Sequence, residues 1–269
     1  MKISFIGVGS AFTSYDYWQS NLLITTGDGH NMLIDCGSDA RFALLPFGID
    51  HHNLAHKIEA VYISHLHADH IGGLEWLAFV SYFTPGAHHP RLFIEESLLP
   101  ALWKHSLRGG LEWIQGRRMA LTDYFQLSPV RAGVPFQWRG AVFTPILMEH
   151  ILGSLETTVY SFGLIIRYQN KRVFFSSDTR FNPILLEKIA KQVEIIFHDC
   201  ETSAFPSTVH SHYNELCTLP LSIKKKCGCT IINPCPPRIP LRMDFVDLFR
   251  EVRNFYYLKK SHKKNAELC

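Results

Sequence analysis

The stretch ISHLHADHIGG, from Ile63 to Gly73, sets His65, His67, Asp69 and His70 within six positions. It ends an apolar run, KIEAVYISH, that reads as a buried strand, and it runs into HIGGLEWLAFVSYF, whose apolar residues recur at helical spacing. His65 and His67 are two apart at a strand end, so they share one face of an extended chain. Asp69 and His70 follow in a turn and face a second position. One tetrahedral ion cannot readily use all four from so tight a loop, whereas two neighbouring ions can. Nitrogen and carboxylate ligands suit zinc first, with manganese or iron as alternatives.

The rest of the chain has room to build around such a site. It has 269 residues, 46% hydrophobic and 19% charged, an ordinary globular balance. The net charge of +3 neither demands nor excludes nucleic acid. The opening MKISFIGVGSAF reads as a strand entering a glycine turn, not as a signal peptide. No run approaches the roughly 18 apolar residues of a membrane span. Seven cysteines are an odd number, and Cys36, Cys200 and Cys217 are too scattered for a disulfide framework, so a reducing cytoplasm is expected.

Short apolar runs alternate with turn signals. KISFIGVG, SNLLITTG, NMLIDCG, RLFIEE, AVFTPILMEH and VEIIFHDC read as strands, and SFGLIIRYQNKRVFFSSDT as a hairpin turning near QNK. SLLPALWKHSLRG reads as a helix capped by Ser97, NPILLEKIAKQ as one capped by Asn182 with Pro183 in its first turn, and NELCTLPLSIKKK as one interrupted by Pro220. Strands and helices mixed in this way predict a layered α/β domain with its site on the loops at strand ends. Trp76, Trp103, Trp113 and Trp138 are read mostly as core, with pocket walls as the alternative. His51, His52, His56, His88, His89 and His105 are read as surface or loop residues.

The motif H-x-H-x-D-H followed by a helix resembles the signature of the metallo-β-lactamase superfamily, and the resemblance covers nearly all of residues 1–226. DCGSDAR (Asp35 to Arg41) is similar to the family's strand-end aspartate and glycine loop. MEHILGS presents His150, and SSDTRF presents Asp178. The resemblance implies a four-layer αββα fold and two divalent metal ions. By that likeness His65, His67 and His150 hold one ion, Asp69 and His70 belong to the other, and Asp178 bridges both.

Such a pair would supply a metal-bridging hydroxide for hydrolysis. SSDTR resembles the GDTR form of ribonuclease Z and its phosphodiesterase relatives. IFHDCETS…VHSHYNEL resembles their strand-end acidic motif followed by a histidine that opens a helix, which makes Asp199 and His212 the catalytic pair and His210 the competitor. A histidine held by a carboxylate can donate a proton to a leaving alkoxide. Asp69 is counted with the catalytic residues as well as the ligands. Only residues 151–177 separate His150 from Asp178, so the long tRNA-gripping arm of ribonuclease Z is absent. The expected substrate is a small or cyclic phosphodiester. Alternatives are a ribonuclease Z-like RNA endonuclease, a thioester or lactone hydrolase, and a metal-binding scaffold with impaired turnover. Expected partners are the small substrate or RNA, no membrane, and a second copy of the chain in a homodimer.

One family feature is missing. Members end with a further ligand, a histidine closing a strand after the last helix. Here SIKKK is followed by CGCTIINPCPPRIP, and the next histidine is His262 in a charged tail. Four of the seven cysteines lie after Lys226. Read one base earlier, from the last base of the Lys226 codon, the codons permit M-W-L-Y-H-Y, an apolar strand ending in histidine. Residues 1–226 are therefore read as the hydrolase domain and 227–269 as a divergent, frameshifted tail. A second metal short of one ligand and the loss of a core strand are the expected consequences. Sequencing the gene across the Lys224–Lys226 codons is expected to reveal an adenine run of variable length; an intact frame without such a run would sink this reading.

Overall fold

The computed structural model describes residues 1–13, 17–154, 157–231 and 242–244. Two sheets dominate it. In the first, the strand order is β15 (Arg242–Asp244), β1 (Lys2–Gly7), β2 (Asn21–Thr25), β3 (Asn31–Ile34), β4 (Ile58–Ile63), β5 (Arg91–Glu95), β8 (Gln126–Val130). Pairing is antiparallel from β15 to β3 and parallel from β3 to β8. In the second, the order is β14 (Cys227–Ile231), β13 (Ile195–Cys200), β12 (Lys171–Phe175), β11 (Val159–Tyr168), β10 (Ala141–Ile151), β9 (Phe136–Trp138). Here β14, β13 and β12 are parallel, and the rest is an antiparallel meander. A small ribbon of β6 (Trp113–Ile114) and β7 (Arg117–Arg118) stands apart.

Alternation along the strands explains the layers. Successive side chains point to opposite faces, and both faces of the central strands are apolar. In β4, Ala60 and Tyr62 enter the core between the sheets while Val61 and Ile63 enter an outer core. In β12, Val173 and Phe175 point between the sheets and Phe174 points outward. The first outer core is covered by α1 (Ala40–Ala43), α2 (Leu54–Lys57), α3 (Ala68–Ile71) and α4 (Leu74–Phe83). The segment from Leu99 to Leu111 completes this layer. The second outer core is covered by α7 (Pro183–Ala190), α8 (Tyr213–Cys217) and α9 (Leu221–Lys224). Three cores between two helical layers and two sheets make the four-layer αββα arrangement.

Local signals act largely as their chemistry directs. Asn182 Oδ1 accepts from Leu185 N at 3.0 Å and caps α7, with Pro183 at its first position. Gln169, at φ 53°, turns the β11–β12 hairpin. The expected helix after Ser97 differs: α5 (Leu99–Ala101), a π turn over Leu102–Leu107 and α6 (Arg108–Leu111) replace one regular helix. Ser97 does not cap it: Leu98 stands at the cap position, and Ser97 turns its hydroxyl and backbone N–H to the Glu95 carboxylate. Trp138 is buried between the sheets, Trp76 and Trp103 pack against the first outer core, and Trp113 is exposed on β6.

The expected loss of a strand after Lys226 is not found. Cys227–Ile231 forms β14 on the edge of the second sheet, since a backbone ladder needs only unencumbered N–H and C=O groups. Arg242–Asp244 pairs with β1. Residues 232–241 and 245–269, His262 among them, lie outside the described residues.

The two sheets are joined by a direct bond. Tyr62, fully buried on β4, donates from its hydroxyl to the Phe162 carbonyl on β11 at 2.9 Å. Tyr62→Phe leaves that acceptor without its donor and is expected to destabilise the fold by about 1–3 kcal/mol, read as a lower urea midpoint at unchanged slope.

Candidate metal centre

The chemistry-bearing residues gather where the C-terminal ends of β3, β4, β10, β12 and β13 reach one edge of the sandwich. The phenylalanine amide at position 162 donates to the Ser64 carbonyl at 2.9 Å, so the strand end carrying His65 is stitched to the opposite sheet. The turn of His67–Ile71 packs closely against the loop after β3. Cys36 N donates to His70 O and Gly73 N to Cys36 O, each at 2.8 Å. A Cβ on Gly37 would lie 2.2 Å from Asp69 O, and one on Gly73 would lie 2.4 Å from Gly37 O. The glycine after the motif is thus required by backbone approach, and it fixes where Asp69 and His70 stand.

His65, His67, His150 and Asp178 each offer a ligand atom within 4.8 Å of the others, and so do Asp69, His70 and Asp178. His65 Nε2 lies 3.1 Å from His67 Nδ1, and His150 Nε2 lies 3.2 Å from the same atom. Asp178 Oδ2 is 3.9 Å from both His65 Nε2 and His150 Nε2. The far nitrogens are tied back: His150 Nδ1 pairs with Val209 O at 2.9 Å, and His70 Nδ1 with Asp35 Oδ2 at 2.7 Å. Each tie assigns the proton to Nδ1 and leaves the lone pair of Nε2 facing the cluster.

Electrostatics agree with neutral histidines in the first group. Burial holds His65 well below the usual histidine range, with His70 adding to the effect; burial likewise lowers His67, and lowers His150 to about 4. For His70, burial opposes the charged form, but Asp178 and Asp35 outweigh it and hold the pKa well above the usual value. Burial opposes ionisation of Asp178 too, yet His70 holds this carboxyl well below its ordinary range.

The residues fit a pair of cations. His70 Nε2 is buried without a hydrogen-bond partner, with Asp178 Oδ1 at 3.4 Å and Asp69 Oδ2 at 3.5 Å. Buried polar atoms are rarely left so without a reason. Three converging imidazole lone pairs beside a carboxylate, and an orphaned imidazole nitrogen between two carboxylates, are donor sets for divalent metals.

A third group contains Asp178, Asp199 and His210. His210 Nδ1 lies 2.8 Å from Asp199 Oδ2 and 3.9 Å from Asp178 Oδ2, and its ring centroid is 5.1 Å from that of His150. Burial lowers His210, but the hydrogen bond and charge of Asp199 outweigh it and raise the pKa to about 9. His212 is corrected by the geometry. Its Nδ1 accepts from Asn214 N, its Nε2 pairs with Ser203 O, and its backbone N–H donates to Glu215. It is the N-cap of α8, with both ring nitrogens committed. The signal was in HYNEL: an acidic residue three places after a capping position forms a capping box. Ser64 and Ser177, which lie in the ISHLHADHIGG and SSDTR stretches but carry no role predicted from the sequence, stand directly behind the ligands. The backbone is left-handed at three non-glycine positions here: Asp35 (φ 64°), Ser177 (φ 55°) and Thr208 (φ 66°). Outliers of this kind cluster at functional sites.

Comparison with known proteins agrees with this geometry. A family model described as "Anti-Pycsar protein Apyc1" matches residues 1–254, beyond Lys226. The anti-Pycsar protein Apyc1 of Paenibacillus harenae is 38% identical over 228 residues, 84% of this chain and 87% of that protein. That of Bacillus phage vB_BsuM-Goe3 is 37% identical over 225 residues, 80% and 81%. Among solved structures, the metallo-β-lactamase fold protein YhfI from Bacillus subtilis superposes with a TM-score of 0.65 at 17% identity, covering 94% of this chain and 91% of its own. The short form of human tRNase Z superposes with a TM-score of 0.63 at 15% identity, covering 91% and 99%. The chain has the metallo-β-lactamase fold and belongs to the Apyc1 family of anti-Pycsar proteins.

Proposed function

We propose that the protein is a metal-dependent phosphodiesterase acting on a small or cyclic phosphodiester, with a protonated His210 as its general acid. The observation that carries this reading is the His210–Asp199 pair standing 3.9 Å from the carboxylate shared by both ligand groups. Two divalent cations, when bound, would supply Lewis acidity and lower the pKa of water between them. His65, His67 and His150 would hold one of them, Asp69 and His70 the other, with Asp178 shared. Zinc suits the three-histidine set, and manganese or iron would suit the same donors.

The chain's own groups do the remaining work. His210 keeps Nδ1 on Asp199, which leaves its Nε2 proton for the leaving oxygen. An alkoxide is a poor leaving group, so a placed acid is of most use there. A thioester or lactone needs such an acid far less. Asp69 orients and accepts from the attacking water. Thr179 N donates to Asp199 Oδ2 at 2.9 Å, so the residue after Asp178 also steadies the acid's partner. A small substrate is favoured because only residues 151–177 separate His150 from Asp178 and β11 and β12 take up most of them, which leaves no length for an arm to grip a folded RNA. Kinship in fold with a tRNase makes RNA cleavage the second reading. The free thiols of Cys36 and Cys217 support a reducing cytoplasm. Among the described residues no helix is long and apolar enough to cross a membrane.

Metal titration is expected to find one tight cation per chain and a second bound at least tenfold more weakly, because the first group has four side chains and the second shares one of its three. Chelation is expected to lower the Tm by about 5 °C or more, the effect of losing a ligand held at 100 times its Kd. Two equally tight ions would contradict the asymmetry.

On a panel of cyclic nucleotides, a p-nitrophenyl phosphodiester, a tRNA precursor, a thioester and a lactone, turnover is expected for cyclic nucleotides. His210→Asn is expected to lower turnover of alkyl esters by about 10²–10⁴ and to spare the p-nitrophenyl ester, whose leaving group needs no proton. His212→Asn, which keeps a good capping residue, is expected to leave rates within a few-fold. Thioester or lactone turnover alone, or the reverse order of the two variants, would overturn this assignment.

A further inference from the structure

A serine hydroxyl has one proton to give and two lone pairs to receive. Ser64 uses all three. It donates to Asp35 Oδ2 at 2.7 Å, receives the Ser177 hydroxyl at 2.8 Å, and lies 3.0 Å from His65 Nδ1. With its own proton on Asp35, Ser64 can only accept from His65. The imidazole proton therefore sits on Nδ1, and Nε2 keeps its lone pair for the cluster. Asp35 also holds His70 Nδ1, so one hydroxyl network sets the tautomers of a ligand from each group.

Ser177 enters this network from the other sheet. It lies two residues past the end of β12, 113 residues along the chain from Ser64, and immediately precedes Asp178. It is 4% exposed, and its φ of 55° lies in the left-handed region that glycine occupies freely and other residues rarely do. A serine kept in that conformation is unfavourable for the backbone alone. The hydroxyl supplies the compensation, because it is the strut between the segment bearing the shared carboxylate and the Ser64–Asp35–His65 network.

We propose that Ser177 is a positioning residue: its hydroxyl ties the Asp178 segment to Ser64 across the sheet interface, presetting both ligand groups for their cations at the expense of backbone strain. This rests on the metal-binding reading above. The network uses no residue that touches substrate, so its contribution is to preorganisation.

The test compares wild type with Ser177→Gly, Ser177→Ala, Ser64→Ala and the double variant S64A/S177G. Zinc affinity is read by chelator competition, cobalt(II) ligand-field spectra report geometry, and the Tm is taken metal-free. Ser177→Gly removes hydroxyl and strain together, so it is expected to weaken the tight zinc site at least tenfold, alter the cobalt spectrum and leave the metal-free Tm within about 3 °C of wild type. Ser177→Ala removes only the hydroxyl and is expected to lose the same affinity with a lower Tm. The double variant is expected to bind no more weakly than Ser64→Ala alone, the mark of a shared strut. Wild-type affinity in Ser177→Gly, or losses in the double variant that simply add, would overturn the proposal. A wild-type protein that takes up neither zinc nor cobalt would instead overturn the metal reading itself.

Discussion

Three imidazole nitrogens converge: His65 Nε2 and His150 Nε2 are each held within about one hydrogen-bond length of His67 Nδ1. They cannot all satisfy one another. Once the far nitrogens of His65 and His150 carry their protons, the near ones offer only lone pairs, and Asp178 adds negative charge beside them. Such a cluster is unfavourable by itself and persists only because a packed scaffold imposes it. The rest of the molecule can be understood as the means of imposing it. Two apolar sheets with a common core bring five strand ends to one edge, and helices on both outer faces keep those strands from shifting.

Rigidity is needed because each ligand group draws on both sheets. His65, His67, Asp69 and His70 follow β4, whereas His150 and Asp199 stand near the ends of β10 and β13, and Asp178 and His210 follow strands of the second sheet. Any sliding between the sheets would separate the histidines of the first group. Tyr62 to Phe162, Phe162 to Ser64 and Ser177 to Ser64 form a ladder of hydrogen bonds across that seam. Left-handed backbone at Asp35, Ser177 and Thr208 marks where the chain bends sharply to deliver its groups. Such strain is tolerated next to a well-packed core, which over-determines the loop positions.

Most of this was legible from periodicity and spacing. Each strand named from the sequence is present, since alternating and continuous apolar runs are direct records of one or two buried faces. The H-x-H-x-D-H loop announces itself because its ligands are local. His210 was harder. His210 and His212 both precede a helix, and only a capping box with Glu215 tells which of them is spent on the backbone. The role of Ser64 and Ser177 was not legible, although both lie inside the quoted motif stretches. A serine in an apolar strand end carries no pattern, and its partner is 113 residues away. Local chemistry can be read from one sequence, whereas a contact across the sheets exists only once both are folded.

The edge strand β14 sharpens the question of the missing ligand. It runs parallel to β13, with Ile231 opposite Cys200, so it ends at the edge where Asp199 stands. The out-of-frame reading would set a histidine at the fifth position of this strand, which is Ile231. That is one strand beyond Asp199, on the far side of β13 from β12, the strand that leads to Asp178. Backbone pairing tolerates almost any side chain there, while metal binding does not. The family match continues past Lys226 to residue 254. Fold and ligand set are separable on this physical ground: strand pairing survives a change of side chains, whereas a ligand set depends on the identity of each member.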